Sequence, residues 1–406
     1  MNRILLLLIM KPNSLIFLSL LLLCSCVEEF KIKSSRDEKQ LVVQGRIAKG
    51  DDSVFYISYS QPLGSQKPPQ LVSGAAVRIV GQNGFQSGLA EVDADKGYYW
   101  IETKELPDDT MYALQVEVDG ESYQSEYLSL LNTPEIKDVV YTENNEDISI
   151  RIQTEGDEGS SRHYMWSYEE DWEFHAPIDI TKAPGVLCRY NHQIYQHDFS
   201  AEYNPYYYCW GHNVSSQINI YSTETLQQNK VNVELLRIPY GDVRISYIYS
   251  LLVKQFSLTD KAYNYYCTLE NYFEESSSLF PAMPLELKGN MMCTSNPNLL
   301  VQGYVLASNV KTKRIFIYES DFKIHLDYDP MECMVLTPDP DKQWTEIWSN
   351  MIEDGALAIA TNGQWFPENN PSSWQKSVLY SRACVDCRTA DGATKKRPDF
   401  WPTKHE

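Results

Sequence analysis

Short apolar and aromatic runs, each three to five residues long, follow one another from Gln40 onward. Turn-forming residues separate these runs, and no helical period of apolar positions crosses them. Short strands divided by turns at regular intervals are typical of an all-β sandwich of immunoglobulin-like size. The runs lie at 41–43, 54–57, 76–80, 98–101 and 112–116. The pattern predicts an immunoglobulin-like β-sandwich over residues 40–133.

A second series of β-rich runs begins after residue 134 and is interrupted by a polar, aromatic-rich insertion at 177–210. Short hydroxyl and carboxylate side chains followed by a stripe of tyrosines predict a helix near 257–280, and Pro340-Asp341 predicts a second helix near 340–353. The β-rich runs lie at 139–141, 148–152, 164–174, 218–221, 299–306 and 314–318. We therefore predict a mainly β protein, in which the first sandwich is followed by a larger β-sandwich domain, 134–406, with helical insertions.

The N-terminus has the three regions of a secretory signal. Residues 4–23 are almost wholly apolar, but a polar interruption at 11–14 argues against one membrane-spanning helix and makes Met10 an alternative start. The sequence Leu23-Cys24-Ser25-Cys26 resembles a bacterial lipobox, which predicts a signal peptide at 1–25, lipidation of Cys26 and a tether at 26–39. Acyl chains on Cys26 would anchor the protein to the outer membrane without a spanning helix. The acidic pair after Cys26 resembles a surface-export signal, so we expect the protein to face outward.

The charge balance excludes one class of partner. The chain has 35 Lys and Arg against 55 Asp and Glu, which gives a formal net charge of −20. Proteins bind nucleic acid through clustered basic residues, and no sustained basic stripe is present. With 43% hydrophobic and 22% charged residues, the composition is that of a globular protein. We expect no nucleic-acid partner.

Seven cysteines remain once the signal and the lipidated Cys26 are set aside, an odd number that prevents complete pairing within one chain. Cys188 and Cys209 bracket the polar insertion, and a bridge between them is the pairing we favour. Cys384 and Cys387 form a C-x-x-C that is compatible with a local disulfide, half of a metal site, or two separate bridges to other cysteines, Cys293 and Cys333. No strand-to-helix context around this motif indicates a thioredoxin-like role.

The insertion also concentrates soft metal ligands. Two cysteines and three histidines lie close together in sequence, and about four such donors make a tetrahedral zinc site. These residues are Cys188, His192, His197, Cys209 and His212. Their spacing matches no standard zinc module, so we favour a disulfide beside solvated histidines and expect no cofactor. A metal- or haem-binding lipoprotein that uses His192, His197 and His212 is the alternative.

Signatures of hydrolytic enzymes are absent from the sequence, which contains no G-x-S-x-G elbow, no H-E-x-x-H and no phosphate-binding glycine loop. The run Glu169-Glu170-Asp171, with Glu173, could supply the carboxylate pair of a surface glycosidase. Strand alternation would also explain it, with Glu169, Asp171 and Glu173 on one solvated face. We expect no enzyme, and the glycosidase is kept as an alternative.

An aromatic group within the insertion is the candidate ligand-binding surface. Aromatic side chains bind sugars, peptides and planar cofactors by stacking while their polar ends stay hydrated. The group consists of Tyr195, Tyr203, Tyr206, Tyr207, Tyr208 and Trp210. The ligand is an unknown small molecule or oligomer.

Several stretches together resemble one family of Bacteroidota lipoproteins, classed as domain of unknown function 4249. They follow one order along nearly the whole mature chain: 41–45, 168–173, 209–210, 218–222, 249–255, 289–290, 303–305, 313–314, 384–388 and 395–401. The resemblance implies an outer-membrane lipoprotein that partners a TonB-dependent transporter. We therefore expect a role in nutrient uptake, in which the protein captures or admits the transporter's substrate by non-covalent binding.

Overall fold

The computed structural model describes residues 39–60, 68–179, 186–190, 193–196, 207–276, 287–325, 333, 335–336, 357–360 and 377–402. In this part of the chain the protein is mainly β, with several separate sheets, as the sequence predicts. The predicted lipidated residue Cys26, the tether apart from Lys39, and the helix predicted near 340–353 lie outside the described residues. Among those residues, no helix combines the length and apolar character needed to cross a bilayer.

Alternation of buried and half-buried side chains produces the first group of strands. In β1, for example, Leu41 and Val43 are buried whereas Val42 and Gln44 are half-buried. This period of two places one row of each strand against a core. The strands are β1 Leu41–Lys49, β2 Ser53–Tyr59, β3 Gln70–Leu71, β4 Ala76–Gly81, β5 Glu91–Asp93, β6 Tyr98–Ile101, β7 Met111–Val118, β8 Glu121–Ser125 and β9 Leu128–Ser129.

The second group contains the longest strands and one helix. These elements are β10 Ile136–Glu143, β11 Asp147–Glu155, β12 His163–His175, β13 Val186–Tyr190, β14 Gln193–Gln196, β15 Tyr208–Val214, β16 Asn219–Ser222, β17 Lys230–Pro239, β18 Ile248–Leu258 and α1 Asp260–Ser276. The Thr259 hydroxyl accepts the backbone N–H of Ala262 at 3.2 Å and so caps the start of α1. Tyr263, Tyr266 and Leu269 of α1 pack beside the buried Leu258 and Tyr304, so the tyrosine stripe is core packing.

The last elements are short. They are β19 Met291–Cys293, β20 Val301–Gln302, β21 Val305–Asn309, β22 Lys311–Tyr318, β23 Val335–Leu336, β24 Leu357–Ala360, β25 Ser377–Tyr380 and α2 Arg382–Val385. Strands β23 to β25 join β13 and β14 in a sheet of order β14-β13-β24-β25-β23.

Two sheets face each other in the first sandwich, and the chain visits this sandwich twice. One sheet has the order β20-β1-β2-β6-β5 and the other β19-β8-β7-β4. The late strands β20 and β21 pair in parallel with β1, so that Val305 lies opposite Gly45. Between these two strands the backbone of Gly303 has φ +100°, and a Cβ there would lie 2.0 Å from the Val43 carbonyl oxygen. The predicted domain boundary at residue 133 therefore leaves out β19, β20 and β21, which belong to the first sandwich although they follow residue 133.

The second sandwich joins the sheet β10-β11-β17 to the sheet β15-β12-β18-β22. Its core takes Ile148 and Ile150 from one sheet and Tyr164, Trp166 and Leu251 from the other. Strand β12 lies at the centre of the larger sheet and pairs with β18 from His163 to Glu173. This position carries the acidic run of β12 into the middle of the domain.

A buried polar cluster connects the two sandwiches. The backbone N–H of Ser257 donates to the hydroxyls of Thr133 and Ser308 at 3.1 and 3.2 Å, and these hydroxyl oxygens lie 2.8 Å apart. Ser257, Thr133 and Ser308 belong to β18, the linker and β21. Each is about 1% exposed, and each finds a partner, so the cluster satisfies the polar groups that the junction buries.

Candidate functional site

Strand β12 carries its acidic side chains on both faces of the sheet. Glu170 points towards the core of the second sandwich and is 1% exposed. Its carboxylate accepts hydrogen bonds from Arg244 at 2.9 Å, from Tyr249 at 2.8 Å and from Asn213 at 2.8 Å. Burial alone would lower the pKa of Arg244, but the neighbouring carboxylates of Asp242 and Glu170 raise it above its ordinary value. Glu170 therefore has a structural role.

The opposite face of β12 presents Glu169, Asp171 and Glu173, as strand alternation predicts. The expectation that this face is solvated is wrong for two of the three, because Asp171 is 6% and Glu173 is 0% exposed. Glu169 forms a 2.8 Å ion pair with Lys254, which also contacts Asp51 of the first sandwich at 2.8 Å.

Asp171 organises a partly open polar group on this face. One of its oxygens lies 2.8 Å from His212 Nδ1 and the other lies 3.2 Å from Arg314 Nη1. The same Arg314 nitrogen donates to the buried hydroxyl of Ser250 at 2.7 Å. Strand pairing explains this meeting, since Asp171 lies opposite His212 on β15 and opposite Ser250 on β18. The His212 side chain is 51% exposed, so its outer edge faces solvent.

The C-terminal segment covers Glu173. Trp401, which is 3% exposed, donates its indole N–H to Glu173 at 2.8 Å. Thr394 and Trp210 exchange backbone hydrogen bonds of 2.8 and 2.9 Å, which fixes the start of this segment against β15. Phe400, which is 42% exposed, lies under the Arg314 guanidinium, whose central carbon is 3.5 Å from the centroid of the ring. The segment thus forms one wall of the polar group around Asp171.

Three tyrosines surround His175 at the end of β12. The imidazole centroid lies 4.8, 4.6 and 4.1 Å from the ring centroids of Tyr207, Tyr208 and Tyr247. His175 Nε2 lies 3.2 Å from Glu173 Oε1. Burial, followed by nearby negative charge, raises the pKa of each of the three phenols. The tyrosines therefore stay neutral and act as aromatic and hydrogen-bonding surface.

The predicted aromatic group is only partly described. Tyr207 and Tyr208 belong to the cluster around His175, and they retain some exposure. Trp210 is 4% exposed and packs with Ile248 and Trp401, so it is a core residue and offers little ligand surface. Tyr203 and Tyr206 lie outside the described residues, and only the backbone of Tyr195 in β14 is described.

Disulfides link the C-terminal segment to the rest of the domain. Cys209 bonds to Cys387 and Cys333 bonds to Cys384. The favoured Cys188–Cys209 bridge is therefore wrong, because closeness in sequence was its main support and the fold brings Cys387 to Cys209 from 178 positions away. Each cysteine of the C-x-x-C motif therefore forms a separate disulfide with a distant cysteine. Cys267 and Cys293 are free thiols.

The alternative metal site loses one of its donors to this pairing. A disulfide sulfur of Cys209 is not a thiolate ligand. His192 and His197 lie outside the described residues. Within the described ranges, no group of three or more His, Cys, Asp or Glu side chains is arranged to hold a metal ion.

Sequence reasoning missed Arg314 and Phe400, which complete the polar group, and Tyr247, which completes the cluster around His175. Arg314 reaches β12 through strand pairing, since β12 pairs with β18 and β18 pairs with β22. Phe400 belongs to the C-terminal segment, and Tyr247 directly precedes β18. Lys311 and Lys313 lie in the same strand, so charge alone does not single out Arg314 in the sequence.

Two solved structures show a remote likeness to this chain. A segment of two fibronectin type-III domains from chicken tenascin is 10% identical, with 55% of this chain and 92% of that one covered and a TM-score of 0.16. A structure described as manganese lipoxygenase of Gaeumannomyces graminis with partial zonadhesin of Komagataella pastoris is 12% identical, with 55% and 90% covered and a TM-score of 0.17.

Sequence comparisons are more informative. Curated proteins yield no significant match. A family model matches residues 27–314, which include β12, His212 and Arg314 and make up more than half of the chain. The chain therefore belongs to the family described as domain of unknown function (DUF4249).

Proposed function

We propose that this protein is a lipoprotein of the outer membrane, anchored through Cys26, that partners a TonB-dependent transporter and helps to capture or admit the transporter's substrate. Binding is non-covalent, and the binding surface is the partly open group of Asp171, His212 and Arg314, with the C-terminal segment beside it. The lipobox-like sequence before Cys26 supports the anchor. The family match begins at residue 27, directly after that cysteine, which agrees with a mature chain starting there.

The observation that supports a binding role is that the carboxylates of β12 are held in ion pairs. Glu169 is paired with Lys254, Glu170 with Arg244, and Asp171 with Arg314. A glycosidase needs one carboxyl that can give up a proton and a second that acts as base or nucleophile. Glu173, the fourth carboxylate, is 0% exposed and accepts the indole N–H of Trp401. Carboxylates that are paired or covered on a rigid strand fix the donors and rings around them, which favours recognition over hydrolysis.

The partner is tested by purifying the native lipoprotein from detergent-solubilised outer membranes and identifying the proteins that co-purify in stoichiometric amounts. We expect a transporter barrel at near equal abundance. The matched control is Cys26→Ser, which removes the acylated thiol and should release the protein from the membrane. Recovery of the wild-type lipoprotein alone, under conditions that preserve other envelope complexes, would contradict the proposal.

A further inference from the structure

The group formed by Asp171, His212, Arg314 and Phe400 has donors that the fold does not use; we call it the Arg314 site. All the hydrogen bonds of Arg314 within the described residues leave from Nη1, to Asp171 and Ser250. The Arg314 side chain is 21% exposed, and its Nε and Nη2 make no hydrogen bond within the described residues. The guanidinium is thus held at one corner while its other nitrogens stay available.

The geometry of an arginine makes this pattern specific. Nε and Nη2 lie on the same edge of the planar guanidinium, and two parallel N–H groups on one edge match the two oxygens of a carboxylate. The fold fixes the plane, because Asp171 and Ser250 hold Nη1 and the ring of Phe400 covers one side at 3.5 Å. A preorganised arginine loses less entropy when it binds a carboxylate.

Apolar surface lies next to this charged edge. Phe400, whose ring centroid lies 3.5 Å from the central carbon of the Arg314 guanidinium, is 42% exposed. Apolar side chains beside a fixed cation favour a ligand that has both an anionic end and an apolar or planar body. The half-exposed imidazole of His212, fixed by Asp171, adds one polar contact at the rim.

We propose that the Arg314 site binds the carboxylate of a small organic ligand that also carries an apolar or aromatic body. This inference deepens the proposed function by naming the chemical class of the captured substrate, and it rests on that function for its biological role. Asp171 is a positioning residue, because its two carboxylate oxygens hold His212 and Arg314 in place.

The test is a titration of the purified full-length protein with benzoate, followed by saturation-transfer difference NMR, with benzyl alcohol as the neutral analogue of the same size. We expect benzoate to bind at least about tenfold more tightly than benzyl alcohol, because only benzoate can form the bidentate contact. Equal binding of the two probes would overturn the inference. The inference would also be overturned if inorganic phosphate displaced benzoate as strongly as acetate does.

Two variants separate the parts of the site. Arg314→Gln should weaken benzoate binding about tenfold or more, whereas Arg237→Gln, an exposed arginine of β17, should leave it unchanged. Phe400→Ala, at a position that is 42% exposed, should weaken the binding of benzoate but not that of acetate. Unchanged benzoate binding by both Arg314→Gln and Phe400→Ala would contradict the assignment. Because no transporter is present, the outcome is independent of the co-purification experiment.

Discussion

Trp401 and Glu173 are 228 positions apart, yet the indole N–H of Trp401 donates to the Glu173 carboxylate at 2.8 Å. Glu173 is 0% and Trp401 is 3% exposed, so the bond is fully shielded from water. A buried carboxylate is stable only when donors replace the water that it has lost. The C-terminal segment therefore completes the environment of a charge on the central strand.

Replacing Trp401 with Phe should destabilise the protein because it keeps a ring and removes the donor. Trp210 provides a matched control, since it is equally buried and its indole nitrogen has no hydrogen-bond partner among the described residues. We expect Trp401→Phe to lower the free energy of unfolding by about 1–3 kcal/mol more than Trp210→Phe does. Urea unfolding measures both. Equal losses would mean that the hydrogen bond to Glu173 contributes nothing beyond ring volume.

The ion pair between Arg244 and Glu170 should matter more than those at the surface. Arg244→Met removes the cation that pairs with the Glu170 carboxylate, which is 1% exposed. We expect this change to lower the free energy of unfolding by about 3–5 kcal/mol. Arg237→Met breaks an exposed pair with Glu234 and should shift the urea midpoint very little. If the two variants unfold at the same urea concentration, burial does not set the strength of the pair.

Hydrophobic and polar patterns in the sequence predicted individual strands and the first helix, which depend mainly on nearby residues. The predicted run 76–80 corresponds to strand Ala76–Gly81, because an alternating apolar row needs only one buried face. The helix predicted from residue 257 begins at Asp260 instead, since Ser257 still belongs to β18 and bonds to Thr133. Family membership is confirmed over residues 27–314, and the resembling stretches at 384–388 and 395–401 lie beyond that match.

The candidate site could be predicted only in part, because its members meet through pairing between distant strands. The acidic run of β12 was visible in the sequence as a period of two. The partners of this run could not be identified from the sequence, because Arg314 and Trp401 lie 143 and 228 positions from the residues of β12 that they contact. The favoured bridge to Cys209 failed for the same reason.

Disulfide removal should separate the two bridges by the length of chain that each one closes. Cys209–Cys387 spans 178 positions and Cys333–Cys384 spans 51. A longer closed loop restricts the unfolded chain more, so the double change Cys209→Ser and Cys387→Ser should lower the free energy of unfolding more than Cys333→Ser and Cys384→Ser, within about 2–5 kcal/mol for each. Peptide mapping of the oxidised protein should recover Cys209 joined to Cys387. A peptide joining Cys209 to Cys188 would contradict the pairing.

Tyr59 should make stability fall at alkaline pH. Its pKa is raised from 10.0 to about 12, first by burial and then by the hydrogen bond and negative charge of Asp119. Below pH 10 the phenol is protonated in both the folded and the unfolded chain, so its contribution to stability is fully present. Between pH 10 and about 12 the unfolded chain loses the proton and the folded chain keeps it, so the free energy of unfolding decreases.

Replacing Asp119 with Asn tests how much the negative charge of Asp119 contributes to the raised pKa of Tyr59. Asp119 has φ 52°, a left-handed backbone that Asn also tolerates, so the turn between β7 and β8 should keep its shape. The Tyr59 pKa should then fall below about 12 and the alkaline loss of stability should shrink. The difference in tyrosinate absorbance between each protein and its own Tyr59→Phe derivative gives the titration of this one phenol. An unchanged midpoint in Asp119→Asn would show that burial alone raises the pKa of Tyr59.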